Sequence, residues 1–332
     1  MNKIAIKQIV AFLLNSIGIF SYLFLLKKQK KTFILSYHRV LNSPQLKEIF
    51  VQPGMFVLKR SFLKQLDILK RNFQIVSLRE FVEIKRKGFS LGRCCAVTFD
   101  DGWHDNYTNV FPIIKEYQIP ITIFLATNFI GSNRLFWPEE LTFYLQQPEI
   151  KSLIKLIPSL NRFSLQNGIN TDYQLDNAIQ TIKKFSLKER EELFARFRSI
   201  SPMPKINRIL LNWEEAKEMQ SSGFVCFGAH TANHVILDQV SLHEAENEII
   251  LSKSDIENYL GSRSDLFAYP NGNYNAHLKD IIKRNDFSAA FTSRKGWVNN
   301  NTDLFEIPRI GIHEDISSTV PLFLSRIILK RF

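Results

Sequence analysis

The sequence predicts an α/β fold, a distorted (β/α) barrel that forms one enzyme-sized domain. Three observations support this prediction. Short apolar runs alternate with segments of helical periodicity, residues suited to metal binding or acid–base chemistry follow several of these runs, and 45% of the 332 residues are hydrophobic, enough for a large core. Because α/β barrels build their sites at the carboxyl ends of the strands, the second observation agrees with the first.

Eight apolar runs are predicted to be strands, and turn residues or helical patterns separate them. They cover residues 33–37, 73–77, 94–99, 119–126, 224–228, 266–269, 287–292 and 307–312. One of the clearest helices begins at Ser241, which forms a capping box with Glu244, and ends at Gly261. This repetition of strand and helix is typical of a parallel sheet.

Two adjacent carboxylates end the run at 94–99, where the chain reads Thr98-Phe99-Asp100-Asp101-Gly102. Neighbouring residues of a regular strand point to opposite faces, so both carboxylates reach one pocket only if the strand breaks, and Gly102 permits such a break. One carboxylate can then hold a metal, while the other, kept ionised by the metal's charge, takes a proton from a bound water. Taken alone, the pattern also fits a solvated turn with a helix N-cap.

Two histidines four residues apart follow another strand-like run about 130 residues downstream. His230 and His234 face the same way if the backbone turns helically, and each can give one nitrogen to a single ion. With the Asp-Asp tip they supply an Asp-His-His ligand set that leaves coordination positions open for water and substrate. Fe(II) oxygenases use the same ligand types, but the second acid and the barrel context argue against that alternative.

The segments 98–102 and 230–234 resemble, in order and separation, the first two motifs of the polysaccharide deacetylases, the NodB-homology or carbohydrate esterase family 4 enzymes. The likeness runs from about residue 32 to residue 313. It implies a barrel of the seven-stranded type and a metal-dependent deacetylase activity. It also implies that Asp100 is the general base and that Asp101, His230 and His234 bind Zn²⁺ or a similar divalent ion.

The segment 267–272, Phe-Ala-Tyr-Pro-Asn-Gly, resembles the third motif of the same family. An Arg that orients the base usually stands two residues before the proline, where this chain has Ala268, as in a subgroup with a Phe-Ala-Tyr-Pro signature. The resemblance implies that a backbone N–H near Asn271 faces the oxyanion, with Tyr269 of the same loop on the substrate side. Arg309 is the candidate that would restore the missing positive charge from another strand.

Two further histidines are candidates for the site. The run 306–313 ends in Ile-Gly-Ile-His and resembles the family's last motif, which implies that His313 is the general acid that protonates the leaving amine. A surface histidine on a loop is the alternative. His38, within Ser-Tyr-His-Arg-Val, matches a signature common in the same subgroup and either lines the substrate cleft or is structural.

Between residues 133 and 212 the strand rhythm lapses, and two helical stretches predict an inserted helical subdomain. It either forms a lid or substrate-shaping wall or packs on the outside as a neutral insertion. The three cysteines, Cys94, Cys95 and Cys226, lie in predicted strands and are expected to be buried apolar fillers and not a disulfide.

Residues 1–31 are predicted to be a hydrophobic membrane anchor that precedes a deacetylase domain at 32–332. Residues 8–26 give about one spanning length, since a span needs roughly 20 residues. Two lysines precede this segment, and four follow it within residues 27–31. The absence of a small-residue cleavage site between the apolar segment and these lysines disfavours a cleaved signal peptide. The lysine bias places the catalytic domain on the cytoplasmic face of a bacterial inner membrane. A helix lying in the leaflet or an ordinary packed helix would satisfy the same residues.

The predicted function is metal-dependent hydrolysis of N-acetyl groups, at a linear amide C–N bond, on a glycan that contains amino sugars. The substrate is an exopolysaccharide or a lipid-linked sugar. A membrane-tethered glycan-binding pseudoenzyme is the alternative, for which Ala268 is the hint. The formal net charge of +11 could suggest nucleic acid, but the excess is spread along the chain and no nucleic-acid motif occurs. The predicted partners are therefore an N-acetylated glycan and membrane lipid.

Overall fold

The computed structural model describes residues 3–16, 32–43, 51, 54–88, 92–150, 172–203 and 207–329. The chain forms two compact units. The first comprises residues 1–42, 56–132 and 209–332, and the second comprises 43–55 and 133–208. The insertion predicted at 133–212 thus corresponds to most of the second unit, which also includes the short segment 43–55. The predicted role of the insertion as a lid stays a prediction.

The first unit is built on parallel strands. In chain order the strands are β1 (Phe33–Tyr37), β2 (Arg39–Leu41), β3 (Phe56–Leu58), β4 (Gln74–Ile75), β5 (Cys94–Phe99), β6 (Ile121–Leu125), β7 (Val225–Ala229), β8 (Leu266–Ala268), β9 (Ala289–Phe291) and β10 (Ile310–Gly311). The main sheet has the order β10-β1-β5-β6-β7-β8-β9, with β4 beside β5, and β2 and β3 form a separate pair. The predicted run at 73–77 is therefore only a two-residue strand beside the principal seven.

The segment 307–311, which contains β10, bonds to both β1 and β9. β10 pairs in parallel with β1, with Ser36 opposite Gly311. Three residues before β10, Ile307 forms a parallel bridge to Phe291 of β9 and donates its N–H to Ala290. β1 and β9 thus bond to the same short segment of chain. This parallel sheet with its helices has the predicted α/β class and is consistent with the seven-stranded barrel that the family resemblance implies.

Helices connect the strands and cover the sheet. They are α1 (Lys3–Ser16), α2 (Lys59–Asn72), α3 (Leu78–Arg86), α4 (Phe111–Tyr117), α5 (Trp137–Tyr144), α6 (Asp172–Ile182), α7 (Leu187–Ile200), α8 (Trp213–Ser221), α9 (Leu242–Leu260), α10 (Ala276–Arg284), α11 (Glu314–Ser317) and α12 (Val320–Ile328). The predicted helix that became α9 is confirmed. Of the predicted capping box only one half forms in the described structure: the Ser241 hydroxyl accepts from the Glu244 N–H. Gly261 ends the helix at φ 63°. The side chain of an L-residue rarely tolerates that conformation, so glycine suits the position.

Every residue of β1 and β5 is buried, as expected of parallel strands covered on both faces. Cys94 and Cys95 are buried, as predicted for apolar fillers, whereas Cys226 is only partly buried, and the three described cysteines form no disulfide. The second unit, formed mainly by α5, α6 and α7, has its own apolar core, in which the rings of Tyr144 and Phe197 lie 5.2 Å apart. Each unit therefore has its own buried apolar cluster.

Helix α1 belongs to the first unit and packs against α12. Ala11 is fully buried and Leu14 contacts the main core, so the first part of the predicted anchor is a packed helix of the unit and not a separate segment. Residues 17–31, which hold most of the predicted span and its lysine cluster, lie outside the described residues. Among the helices that are described, none is long and apolar enough to cross a membrane.

Candidate active site

The turn after β5 brings both predicted carboxylates to one face. Asp100 still continues the strand, since its N–H donates to the Tyr37 carbonyl. Asp101 and Gly102 then adopt left-handed backbone conformations, with φ of 76° and 82°. The φ of Gly102 favours glycine, and a Cβ atom there would also lie 2.7 Å from the terminal methyl Cδ2 of Leu125, which would have to shift. The strand therefore breaks at the carboxylates, as predicted, and Asp101 as well as Gly102 turns the chain.

Asp101, His230 and His234 converge as predicted. Asp101 Oδ1 lies 3.5 Å from His230 Nε2 and 3.3 Å from His234 Nε2. Two ligand atoms that each lie about 2.0–2.2 Å from a tetrahedral ion are roughly 3.3–3.6 Å apart, so the spacing fits one small divalent ion. Asp101 Oδ1 is buried and, among the described residues, has no hydrogen-bond partner. An unpaired buried oxygen at this point is what a metal ligand requires.

The two imidazoles are oriented by the loop that carries them. His230 Nδ1 lies 2.7 Å from the Ala268 carbonyl, so Nδ1–H donates and Nε2 stays available to a metal. Burial lowers the pKa of His230 to about 4, against the opposing effect of Asp100, so the ring is neutral at pH 7. The helical turn predicted between the histidines does not form. Positive φ angles at Thr231 (61°) and His234 (53°) bring the rings together instead.

Helix α9 fixes this loop from behind. The backbone N–H and the side-chain amide of Asn233 each donate to Glu248 over 2.8 Å. Asn128, after β6, donates its side-chain amide to Asn233 Oδ1 and its N–H to the Ala232 carbonyl. Sequence reasoning missed Glu248, because an acidic residue on a helix carries no signal of such a role. The ligand pair is therefore anchored to both a helix and a neighbouring strand tip.

Asp100 pairs with Arg309, which precedes β10. Arg309 Nη1 and Nη2 donate to Asp100 Oδ1 and Oδ2 over 2.7 and 2.8 Å. The guanidinium is buried and also donates to the Thr98 hydroxyl and the Thr292 carbonyl. Burial raises the pKa of Asp100, but the Arg309 guanidinium outweighs it, and the net shift is downward. Arg309 thus supplies the positive charge that Ala268 lacks, and Asp100 is ionised at neutral pH.

His38 and His313 lie at neighbouring strand tips. Each stands two residues beyond the paired residues Ser36 and Gly311 of β1 and β10. His38 Nε2 is 3.9 Å from Asp100 Oδ2, to which the Ser36 hydroxyl donates. His313 Nδ1 lies 3.2 Å from Asp315 Oδ1. Burial lowers the pKa of His38, and Arg309 and His313 act in the same direction, whereas Asp101 and Asp100 oppose them.

The two predicted residues of the third-motif loop, Asn271 and Tyr269, lie in different surroundings. Asn271 is exposed, with φ 58°, and its backbone carbonyl accepts from the Ser293 hydroxyl. The prediction of an oxyanion donor near Asn271 stays a prediction. The prediction that Tyr269 contacts substrate is wrong: it is 1% exposed, packs in the main core and donates its hydroxyl to the Phe305 carbonyl. Side chains alternate along a strand, and Tyr269 continues the inward face of Phe267.

A family model described as polysaccharide deacetylase matches residues 90–290. The chain belongs to the polysaccharide deacetylase family. The matched range includes Asp100, the three candidate metal ligands and the third-motif loop, whereas Arg309 and His313 lie beyond it.

Relatives agree with this family membership. The poly-beta-1,6-N-acetyl-D-glucosamine N-deacetylase of Staphylococcus epidermidis is 36% identical over 116 residues, which cover 32% of this chain and 40% of the relative. That of Staphylococcus aureus strain MSSA476 is 32% identical over 117 residues, or 31% of this chain and 39% of the relative. The chain thus matches about two fifths of the length of these curated relatives.

Two solved structures share the fold. The structure of IcaB from Ammonifex degensii aligns with a TM-score of 0.59 and 19% identity, covering 90% of this chain and 97% of that chain. The Streptococcus pyogenes deacetylase PplD in complex with acetate aligns with a TM-score of 0.57 and 19% identity, covering 87% and 95%. At this identity the likeness establishes the fold alone.

Proposed function

We propose that the chain hydrolyses N-acetyl groups of a glycan that contains N-acetylglucosamine, releasing acetate and leaving a free amine on the sugar. The observation that carries this proposal is a second buried carboxylate, Asp100, held ionised by Arg309 beside the Asp-His-His group. A metal site alone would serve many reactions, whereas a paired base next to it serves hydrolysis. The activity named for the staphylococcal relatives supports a β-1,6-linked polymer as the substrate class.

The donor set and the spacing of its atoms suit a small divalent ion, for which we propose Zn²⁺. Asp101 Oδ1 and the Nε2 atoms of His230 and His234 would hold it. When bound, such an ion polarises an amide carbonyl and lowers the pKa of water. Three protein ligands leave coordination positions open, as catalytic zinc sites require.

The protein's own residues then carry the protons. Asp100 accepts a proton from the attacking water, and the hydroxide oxygen adds to the carbonyl carbon of the acetamido group. The backbone near Asn271 is the proposed donor to the oxyanion. The C–N bond breaks as His313 donates a proton from Nε2 to the amine nitrogen, while Asp315 Oδ1, 3.2 Å from Nδ1, orients the ring. The products are acetate and the sugar amine: the proton held by Asp100 and the proton of the new carboxylic acid pass to solvent, and His313 regains a proton from it.

The alternative function, a pseudoenzyme that only binds glycan, loses the observation that suggested it. Ala268 suggested a missing orienting charge, but Arg309, which precedes β10, supplies a charge to the base. The buried Asp100–Arg309 pair also has no evident use in an Fe(II) oxygenase, whose chemistry needs no general base of this kind. Hydrolysis uses every one of the converging groups.

The test is incubation of the full chain, supplied with Zn²⁺, with β-1,6-linked N-acetylglucosamine oligomers, and with β-1,4-linked oligomers as a matched substrate. Free amine, acetate and the mass of the sugar product are measured. Acetate release by the native chain and its loss in Asp100→Asn are expected. Binding of the oligomer without any acetate release from either substrate would support the glycan-binding alternative and refute the enzyme.

We also propose that the chain associates with a membrane through residues 1–31, with the catalytic unit on the cytoplasmic face of a bacterial inner membrane. Among the residues of α1 whose burial is described, the exposed apolar ones are Ile9, Val10, Phe12 and Leu13. At 3.6 residues per turn they span roughly 160° of the helix, opposite the face of Ala11 and Leu14 that packs on the unit. A helix held against the unit on one side and apolar on the other suits the plane of a leaflet, and the lysines at 27–31 suit anionic lipid.

This localisation is tested by replacing the exposed apolar residues of α1 with serine. The matched control replaces four exposed apolar residues of α9 in the same way, Leu242, Ile250, Leu251 and Tyr259. The α1 variant should move from the membrane fraction to the soluble fraction while its activity on a soluble oligosaccharide is retained, and the α9 variant should stay. Equal membrane association of the two variants would refute the proposal.

A further inference from the structure

We propose that Trp103 is a positioning residue for the metal ligand Asp101: its indole N–H holds one carboxylate oxygen so that the other faces both imidazoles. This inference rests on the metal site of the proposed function. Trp103 Nε1 donates to Asp101 Oδ2 over 2.9 Å. The remaining oxygen, Oδ1, is the one near His230 and His234.

The indole is itself held by a buried ion pair. The Arg39 guanidinium carbon lies 4.4 Å from the centroid of the Trp103 ring. Arg39 Nε donates to Asp105 Oδ2 over 2.8 Å, and Asp105 Oδ1 accepts the Val40 N–H over 2.8 Å. Trp103, Arg39 and Asp105 are 1%, 3% and 4% exposed. A desolvated cation on the ring face withdraws electron density from the indole, which strengthens its N–H as a donor to a carboxylate.

The local backbone explains why Asp101 needs such a partner. At φ 76° this residue lies outside any regular element, so neither strand nor helix fixes its side chain. The turn is secured instead to a second segment, since the Gly102 carbonyl accepts the Leu211 N–H and the His104 N–H donates to the Ile209 carbonyl. Trp103 stands between these two contacts. Its position is therefore fixed on both sides, and it can fix the carboxylate.

The bond has a further consequence for the site. A carboxylate whose Oδ2 is engaged by an N–H offers a metal one oxygen and not two. Monodentate binding leaves one more coordination position for water or the acetamido oxygen than bidentate binding would. Trp103 thus helps to determine how many positions stay open as well as how tightly the ion is held.

The test compares Trp103→Phe with a matched control, Trp297→Phe, which also loses an indole N–H bond, here to the Ile327 carbonyl at 3.0 Å. Zn²⁺ affinity is measured by competition with a chelating dye, and the visible spectrum of the Co²⁺-loaded protein reports ligand geometry. Trp103→Phe should weaken Zn²⁺ binding by about 10- to 100-fold and change the Co²⁺ bands, as loss of a partner of a metal ligand does. Trp297→Phe should change neither.

A second variant removes the N–H without changing the shape of the ring. Benzothienylalanine incorporated at position 103 replaces the indole N–H by sulfur, and the same loss of Zn²⁺ affinity is expected. Unchanged affinity and unchanged Co²⁺ bands in this variant would overturn the positioning role while the metal site stands. Absence of divalent metal binding by the unmodified chain would overturn the inference together with the proposed metal site.

Discussion

Removal of the Arg309 guanidinium should disable the base without removing the metal ligands. In Arg309→Met the carboxylate of Asp100 stays 4% exposed but loses both of its charged hydrogen bonds. The effect of burial, which raises the pKa of Asp100, is then no longer outweighed by a cation. The pKa of Asp100 should rise, and the acidic limb of the pH–rate profile should move to higher pH with it.

The size of the shift follows from the cost of leaving a buried charge unpaired. Breaking a buried pair costs about 3–5 kcal/mol, and about 1.4 kcal/mol corresponds to one pKa unit, so the pKa of Asp100 should rise by roughly 2–4 units. In the native chain the lowered pKa stabilises the fold above the unfolded carboxyl pKa, and this stabilisation is lost as pH falls through the folded value. In the variant the sign reverses, so the difference in unfolding free energy between the two proteins should grow from pH 4 to pH 7.

The assay is kcat/KM against pH on a soluble N-acetylated oligosaccharide, with metal content and urea unfolding measured on the same samples. The double variant Asp100→Asn, Arg309→Met is the control for stability, because it leaves neither charge of this pair without its partner and should unfold at higher urea than Arg309→Met alone. An Arg309→Met protein with a native acidic limb and native activity would refute the reasoning. It would mean that Asp100 does not depend on this cation or is not the base.

Three further outcomes are expected. Asp100→Asn should retain metal and lose roughly 10²- to 10⁴-fold in turnover, and full activity would place the base elsewhere. His313→Ala should lose activity by a similar factor with metal retained, and a larger loss in His38→Ala would transfer the role of acid to that residue. The unfolding free energy of the metal-free protein should fall by up to about 3 kcal/mol as pH drops from about 6.5 towards 4, because the unfolded histidine takes up a proton that buried His230 refuses. A His230→Asn variant should lose most of that pH dependence.

The residues that the sequence made predictable are those whose chemistry is local in the chain. Asp100 and Asp101 lie together, and His230 and His234 are four residues apart, so each motif has its meaning within one turn of backbone. The left-handed conformations that bring the carboxylates and the imidazoles to one place were not predictable in detail. Only the glycine after the carboxylates signalled that the strand must break.

Contacts between distant strands were harder to predict. Arg309 reaches Asp100 across 209 residues of chain, because β10 and β5 both pair with β1 at Ser36. That register depends on how strands distant in the sequence pair, so the spacing of residues along the chain does not reveal it. Tyr269 is a local feature that was predicted wrongly. It lies in the predicted loop, but side chains alternate along the preceding strand, and this alternation turns the Tyr269 ring into the core beside Phe267.

The partners of the two adjacent aspartates explain how identical side chains acquire different roles. Both oxygens of Asp100 are engaged by a permanent cation, so this carboxylate is charge-compensated and has no oxygen oriented to hold a second cation. Asp101 receives a neutral indole N–H on Oδ2, and its Oδ1 lies near the Nε2 atoms of His230 and His234, of which His230 is kept neutral by burial. Its negative charge is therefore the one left for a metal ion. The roles of base and metal ligand are therefore set by the groups that contact each aspartate, since the two aspartate side chains are chemically identical.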